Sequence, residues 1–461
     1  MMASFFFVGI ISLAFAFAVL SRYGHARQSN RDFFVASGQF GTFLVFMLGV
    51  GETYSIGSLL GFPAAAERQG VSFVLWYMGF LILAYPVGYF VNPLIWKAGQ
   101  RYNAITFADL FQGHFKSPFL EKIIVFNVLL CLIPLGELQF AGILNIVNWM
   151  HWNISPLATT SVAALLAFGW ILISGIRAPA YVSVMKDLLI LLVVIGVGFL
   201  AFRAIGSHGG YTDISRMGPV PDRQDELYAV STIILQAIGF CVAPQMATFL
   251  FTARSARVVR RSQIAMPLYM LMFPFLYLVA VYVHVTKLPL PAANDVFMAA
   301  ANALLPPWAL GIVASAGVLS GLVILAGTCL VLGPLIARNL LPAVSDRIQG
   351  RSAKIAIALY LVFSVMAASH MSALMVTLTS FYYMGIIQMA PGLASVLWRI
   401  PAPPLGIAMG IVVGESVTIS LVWTGARVGG CNVAIFGLAA NMACIAMMWG
   451  GHRWYGRHRN T

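Results

Sequence analysis

MLGVGETYSIGSLLGFPAAA, from Met47 to Ala66, lies inside apolar sequence and breaks its pattern. Gly49 and Gly51 stand just ahead of Glu52, and Thr53, Tyr54 and Ser55 follow it. Glycine weakens a helix interior and a carboxylate is costly at membrane depth, so the stretch is poorly suited to a plain membrane helix. Unwound backbone at that depth is tolerated only where it is buried in protein or lines a watery cavity. The segment therefore predicts a discontinuous helix whose loosened turns expose backbone groups for binding.

The surrounding composition fixes the setting. Sixty per cent of the residues are hydrophobic and 9% are charged, against roughly a quarter charged in soluble domains. Continuous apolar runs of membrane-crossing length, about 20 residues, recur along the chain and exclude an alternating outer-membrane barrel. Thirteen helical spans are expected, near 3–20, 38–66, 72–95, 123–149, 158–175, 181–204, 229–250, 264–285, 306–336, 355–375, 378–398, 405–424 and 431–450. The first reads as a retained span, because it lacks a basic n-region and a clear cleavage site. NAITFADLFQGHF, 103–115, predicts a short amphipathic helix capped at Thr106. GSHGGYTDISRMGPVPDRQDE, 206–226, reads as a solvated external loop.

The net charge of +13 is distributed as topology and not as a nucleic-acid footprint. With the N-terminus outside and the C-terminus in the cytoplasm, all but six of the 27 Lys and Arg fall inside. The lipid bilayer of a bacterial inner membrane is the expected surrounding, with no required protein partner evident. The five cysteines have neither metal spacing nor an evident pairing and read as buried, inert thiols.

A second stretch mirrors the first. STIILQAIGFCVAPQMATFLF, 231–251, carries Gly239 and then Pro244. Interrupted helices in corresponding positions of two halves mark the binding site of an inverted-repeat transporter. The organisation expected is an extra N-terminal span in 1–37, repeats over 38–204 and 229–398, and two extra spans with a basic tail over 405–461. The chain shows no nucleotide-binding loop and no nucleophile–base or metal constellation, so neither an enzyme nor a cofactor is expected. Any driving energy must come from an ion gradient.

The intramembrane polar residues are then the candidates. Glu52, next to the expected break, is the candidate proton carrier, with Gly51, Thr53, Tyr54 and Ser55 around a small-molecule substrate. Gln139 in IPLGELQFAG, Gln236 before the second break and Tyr382 in SFYYMGIIQMAPG are further substrate-binding candidates. Glu137, two residues from Gln139, points in a different direction on a helix. Lys186 and Asp187 adjoin and read as an ion pair or gate, and Glu415 as structural.

GETYSIGSLLGFPA, YPVGYFVNPLIW, ITFADLFQGHF, SGIRAPAYVSVMKD and PPWALGIVASAG with LIARNL together resemble the sodium:solute symporter family over nearly the whole chain. The resemblance is closest to its bacterial branch of monocarboxylate permeases. It implies an all-α LeuT-type fold of five plus five inverted helices, and symport of a short acid such as pyruvate or lactate. Sodium-coupled members place two hydroxyls on the ninth span, facing carbonyls that correspond here to Gly51 and Tyr54. The aligned residues are Val323 and Ile324, which cannot ligate a hard cation. A shift of three residues brings in Ser320 alone. Proton coupling through Glu52 is the expectation. Sodium coupling built on Ser320, a zwitterion carrier and a non-transporting solute sensor are the alternatives.

Overall fold

The structure, a computed structural model, describes residues 2–22, 29–207, 217–218, 221–342, 345–368, 375–426 and 428–458, with Glu52 and 451–458 described in backbone alone. The chain opens with α1 (Met2–Leu20) and a short α2 (Asn30–Val35), whose first turn is capped by the Ser29 hydroxyl. The first discontinuous span follows as α3 (Thr42–Thr53) and α4 (Phe62–Gln69). Tyr54, Ser55, Ile56 and a π-helical stretch, Gly57–Gly61, lie between them. Next come α5 (Val71–Arg101), α6 (Phe107–Phe115), α7 (Pro118–Trp149), α8 (Pro156–Ser174) and α9 (Arg177–Ser207).

The second half opens with α10 (Arg223–Val242) and α11 (Pro244–Phe251), parted by Ala243 alone. A long rod follows, built from α12 (Ala256–Ala265), a 3-10 stretch Met266–Met272 and α13 (Phe273–Thr286). Then come α14 (Val296–Leu304), α15 (Pro307–Pro334, prolonged by a π-helical stretch Leu335–Leu340) and α16 (Asp346–Ala368). The last group is α17 (Met375–Ile386), a 3-10 stretch Ile387–Met389, α18 (Ala390–Trp398), α19 (Pro404–Trp423) and α20 (Ala434–His458). Among the described residues, ten helices are long and apolar enough to cross a membrane by length and composition.

Capping chemistry sets many of these boundaries. Thr106 starts α6 with the expected cap, completed by the Asp109 carboxylate returning to the Thr106 amide. Ser117–Pro118 and Ser155–Pro156 start α7 and α8 with a hydroxyl cap followed by a proline that needs no amide partner. Asp222 and Asp225 make a capping box that draws 223–226 into α10, so the end of the expected 206–226 loop is helical. Residues 208–216 and 219–220 of that loop lie outside the described residues. Several helices outrun their expected spans, because helical hydrogen bonding continues through polar residues until a cap ends it. Thus α5 reaches Arg101, and the helix carrying α12 starts at Ala256. The short α14 was absent from the expected spans.

α15 is the central post. Its membrane-length window is 83% buried, as expected of a helix apolar on every side. Small residues let its neighbours approach. Gly311 meets the Ala3 backbone of α1, Gly317 meets Ile146 of α7, and a Cβ on Gly321 would stand 3.1 Å from Ile143. α3 and α9 also pack on this post, which brings the first break within reach of side chains from both α9 and α15.

The α6 end of the bundle is laced by polar ties. Arg177 of α9 reaches Asp32 at 2.8 Å and Gln39 at 3.1 Å. The Phe40 amide donates to Thr252, and Arg254 donates back to Phe40, tying the entry to α3 to the exit of α11. Asp109 accepts from Arg338 at 3.0 Å and from Asn339 at 2.8 Å, fixing α6 to the end of α15.

Candidate functional site

The first break falls at Tyr54 and Ser55, beyond the glycines. Gly49 and Gly51 lie within α3, and Gly49 is where the Met266 methyl packs. The α-helical run ends at Thr53, and Tyr54 adopts φ −96° and ψ 59°. The freed carbonyls are taken by side chains. Ser58 donates its hydroxyl to the Thr53 carbonyl at 2.6 Å. The Tyr54 carbonyl accepts twice, from the Ser320 hydroxyl of α15 at 2.5 Å and from the Lys186 ammonium of α9 at 3.1 Å. Ser55 caps the Ser58 amide at 3.1 Å and is the partly exposed member of 53–58.

Lys186 is completely buried and forms an ion pair with Asp187, Nζ to Oδ1 2.6 Å, with both side chains at 0% exposure. The contact is close but poorly angled for a hydrogen bond, and neither Asp187 oxygen has another hydrogen-bond partner among the described residues. The ammonium lies 3.7 Å from where a Cβ on Gly51 would stand. Lys186 thus turns toward the last turn of α3.

The aromatic surround is dense. The Tyr54 phenol donates to the Tyr269 carbonyl, and its ring lies 4.7 Å from the Tyr269 ring. Thr53 meets the Tyr85 hydroxyl at 3.2 Å, and Ser58 meets the Tyr77 hydroxyl at 3.2 Å. The side chain of Glu52 lies outside the described residues, and its backbone completes α3.

The second break is made differently. Ala243 is extended at φ −53° and ψ 126°, and Pro244 begins α11. Proline biases its predecessor away from the helical region, so the sequence itself parts these helices. Gly239 stays helical within α10, against the Tyr383 ring. Just past the proline, Gln245 accepts from the Tyr382 hydroxyl at 2.5 Å, which ties α11 to α17. The Gln245 Nε2 is buried and has no hydrogen-bond partner among the described residues.

The remaining candidates divide. Gln139 is buried, donates to Leu135 of its own helix at 3.2 Å, and leaves Oε1 without a partner among the described residues. Its neighbour Leu138 meets the break, with a methyl carbon 3.0 Å from a Cβ on Gly57, and Gly142 of the same helix lies against Ile56. Gln236 is buried in α10, two turns ahead of Ala243. Val323 and Ile324 are buried on α15 and present only hydrocarbon. Glu415 lies apart from both breaks, in a cavity of about 260 Å³ lined by Cys131, Phe381, Gly385 and Trp423.

Sequence reasoning missed Gln245, Ser58, Tyr77 and Tyr85. Gln245 had a signal, since it follows the helix-breaking proline. The two tyrosines of α5 had none, because nothing in their spacing points toward Thr53 or Ser58.

Known proteins resemble this chain in sequence and in fold. The family model described as the sodium:solute symporter family matches residues 33–397. The chain is 26% identical over 439 residues to the uncharacterized symporter YhjB of Bacillus subtilis, covering 91% of this chain and 89% of that one. It is 25% identical over 334 residues to a monocarboxylate transport permease protein of Rhizobium johnstonii, covering 68% and 66%. Among solved structures, a Na⁺-coupled sialic acid symporter in a substrate-bound outward-open state superposes with a TM-score of 0.79 at 13% identity, over 98% of both chains. MhsT in complex with L-phenylalanine superposes with a TM-score of 0.54 at 14% identity, covering 88% and 97%. These two share the LeuT-type fold, and the paired interruptions of α3/α4 and α10/α11 are that fold's central feature here. A multi-pass helical membrane protein with those interruptions, matched from residue 33 to 397, belongs to the sodium:solute symporter family.

Proposed function

We propose that this symporter imports a short monocarboxylate, of the pyruvate or lactate class, together with a proton. One observation carries the choice of ion. Ser320 already gives its hydroxyl to the Tyr54 carbonyl, and Val323 and Ile324 offer hydrocarbon where a sodium site needs oxygens. The substrate class rests on the sequence resemblance and on the Rhizobium relative named for monocarboxylate transport.

The residues suit an anion. The half-helix beginning after Ser55 and the one beginning at Pro244 present their N-terminal ends to the interruptions. Gln245 brings a buried amide with an unpartnered Nε2 to the second of these. Glu52, on the last turn of α3, takes the proton in this reading, because an ionised glutamate repels a carboxylate held beside it. Proton and monocarboxylate then enter as an electroneutral pair.

The test is uptake of labelled pyruvate into proteoliposomes, with an inward proton gradient compared with an inward sodium gradient at fixed membrane potential. Accumulation under the proton gradient alone is the expected result. Accumulation under sodium alone overturns proton coupling and returns Ser320 to the role of ion ligand. Uptake of amino acids in preference to pyruvate overturns the substrate class.

A further inference from the structure

We propose that Lys186 is the resident cation of this transporter, its ammonium filling the place that a free ion would need at the first broken helix. The inference rests on the symporter reading above and names what occupies that place. Its basis is geometric. The Tyr54 carbonyl, freed by the break, receives a charged donor from α9 and a hydroxyl from α15, so one oxygen joins three helices. Asp187 supplies the counter-charge at 2.6 Å. Carbonyl and carboxylate are oxygen ligands that a hard cation takes, and here both meet an ammonium, while the Ser320 hydroxyl shares the carbonyl.

The tether changes what the ion can do. A free ion arrives and leaves, whereas a covalently held ammonium stays with the chain. Lys186 holds Tyr54 with a charge-assisted hydrogen bond and neutralises Asp187, which ties α9 to the end of α3.

Few other ionisable groups compete for this role. Glu52 is on the last turn of α3, Tyr54 follows it at the break, and Tyr269 is on the 3-10 stretch that packs on the break. α15 presents the uncharged Ser320, and α1, α8 and α14 carry no ionisable side chain. α13 meets α9 further along, with Phe275 against Gly198.

Two measurements test the proposal, one of them independent of substrate. In the first, purified protein is melted in sodium and in choline buffer. The wild type is expected to melt identically in both, because the cation position is filled. Lys186→Ala is expected to gain a sodium-specific rise, because Asp187, Tyr54 and Ser320 are then free to hold the ion. A sodium-specific rise in the wild type overturns the proposal, whichever substrate is carried.

In the second, Lys186→Met combined with Asp187→Asn removes both charges at nearly constant volume. This variant is expected to retain measurable exchange of labelled for unlabelled pyruvate while internal and external concentrations simply equalise under an inward proton gradient. Accumulation by the double variant, where the wild type also accumulates, overturns the role of Lys186 and leaves proton symport standing. A wild type that ignores the proton gradient overturns the proton-coupled reading above, and the melting comparison still judges the cation position.

Discussion

The two broken helices reach similar shapes by opposite means. Between α10 and α11 the interruption is one extended residue, Ala243, followed by Pro244. Between α3 and α4 there is no proline at the break, and the turn is held by Ser58, Ser320 and Lys186, each bonded to a freed carbonyl. The second break is built into covalent geometry, whereas the first is held by bonds that can be released. A transporter needs at least one element with two arrangements of similar energy, and side-chain ties supply that where a proline does not. The difference suits the α3 side to motion and the α11 side to a fixed hinge.

The strongest way to break this contrast is at Asp187. Asp187→Ala leaves the Lys186 ammonium buried without its counter-charge, and breaking a buried pair from one side costs about 3–5 kcal/mol. Thermal unfolding in detergent should show the largest loss of any single substitution at either break. A shift no larger than that of a surface control means the pair is not buried as described.

Ser320→Ala probes the same carbonyl more gently. Tyr54 keeps Lys186 as a donor, so only one hydrogen bond disappears, worth about 1 kcal/mol. Should sodium coupling instead depend on Ser320, this variant would lose sodium-driven uptake entirely while barely changing its melting temperature.

The smallest stability effect is expected at the second break. Pro244→Ala touches no polar tie and should shift stability by less than about 1 kcal/mol. It restores an amide at 244 that can donate to residue 240 and run α10 into α11. Reduced uptake with an almost unchanged melting curve is the outcome that sharpens the comparison. A melting loss greater than that of Ser320→Ala would place the structural burden on α11 and reverse it.

Much of the fold is legible in the sequence because its signals are local. Apolar length marks the spans, Thr106 and Asp109 mark the start of α6, and Pro244 parts α10 from α11 within a few residues of chain. Gly49 and Gly51 correctly pointed to the first break but misplaced it. Gly49 serves close packing against Met266, and the backbone turns at Tyr54 instead. The Lys186–Asp187 dyad is visible as adjacent charges, but its target is not.

What the sequence by itself determined is therefore the membrane class, the two interruptions and the absence of a paired hydroxyl at Val323 and Ile324. Only the tertiary structure decided which groups meet at those interruptions. Lys186 finds Tyr54 across 132 residues, Ser320 finds it across 266, and Tyr382 finds Gln245 across 137. Pairings so distant leave no periodic trace in the chain. They are settled by the packing of α3, α9 and α15, where small residues admit close approach and every buried polar atom seeks a partner.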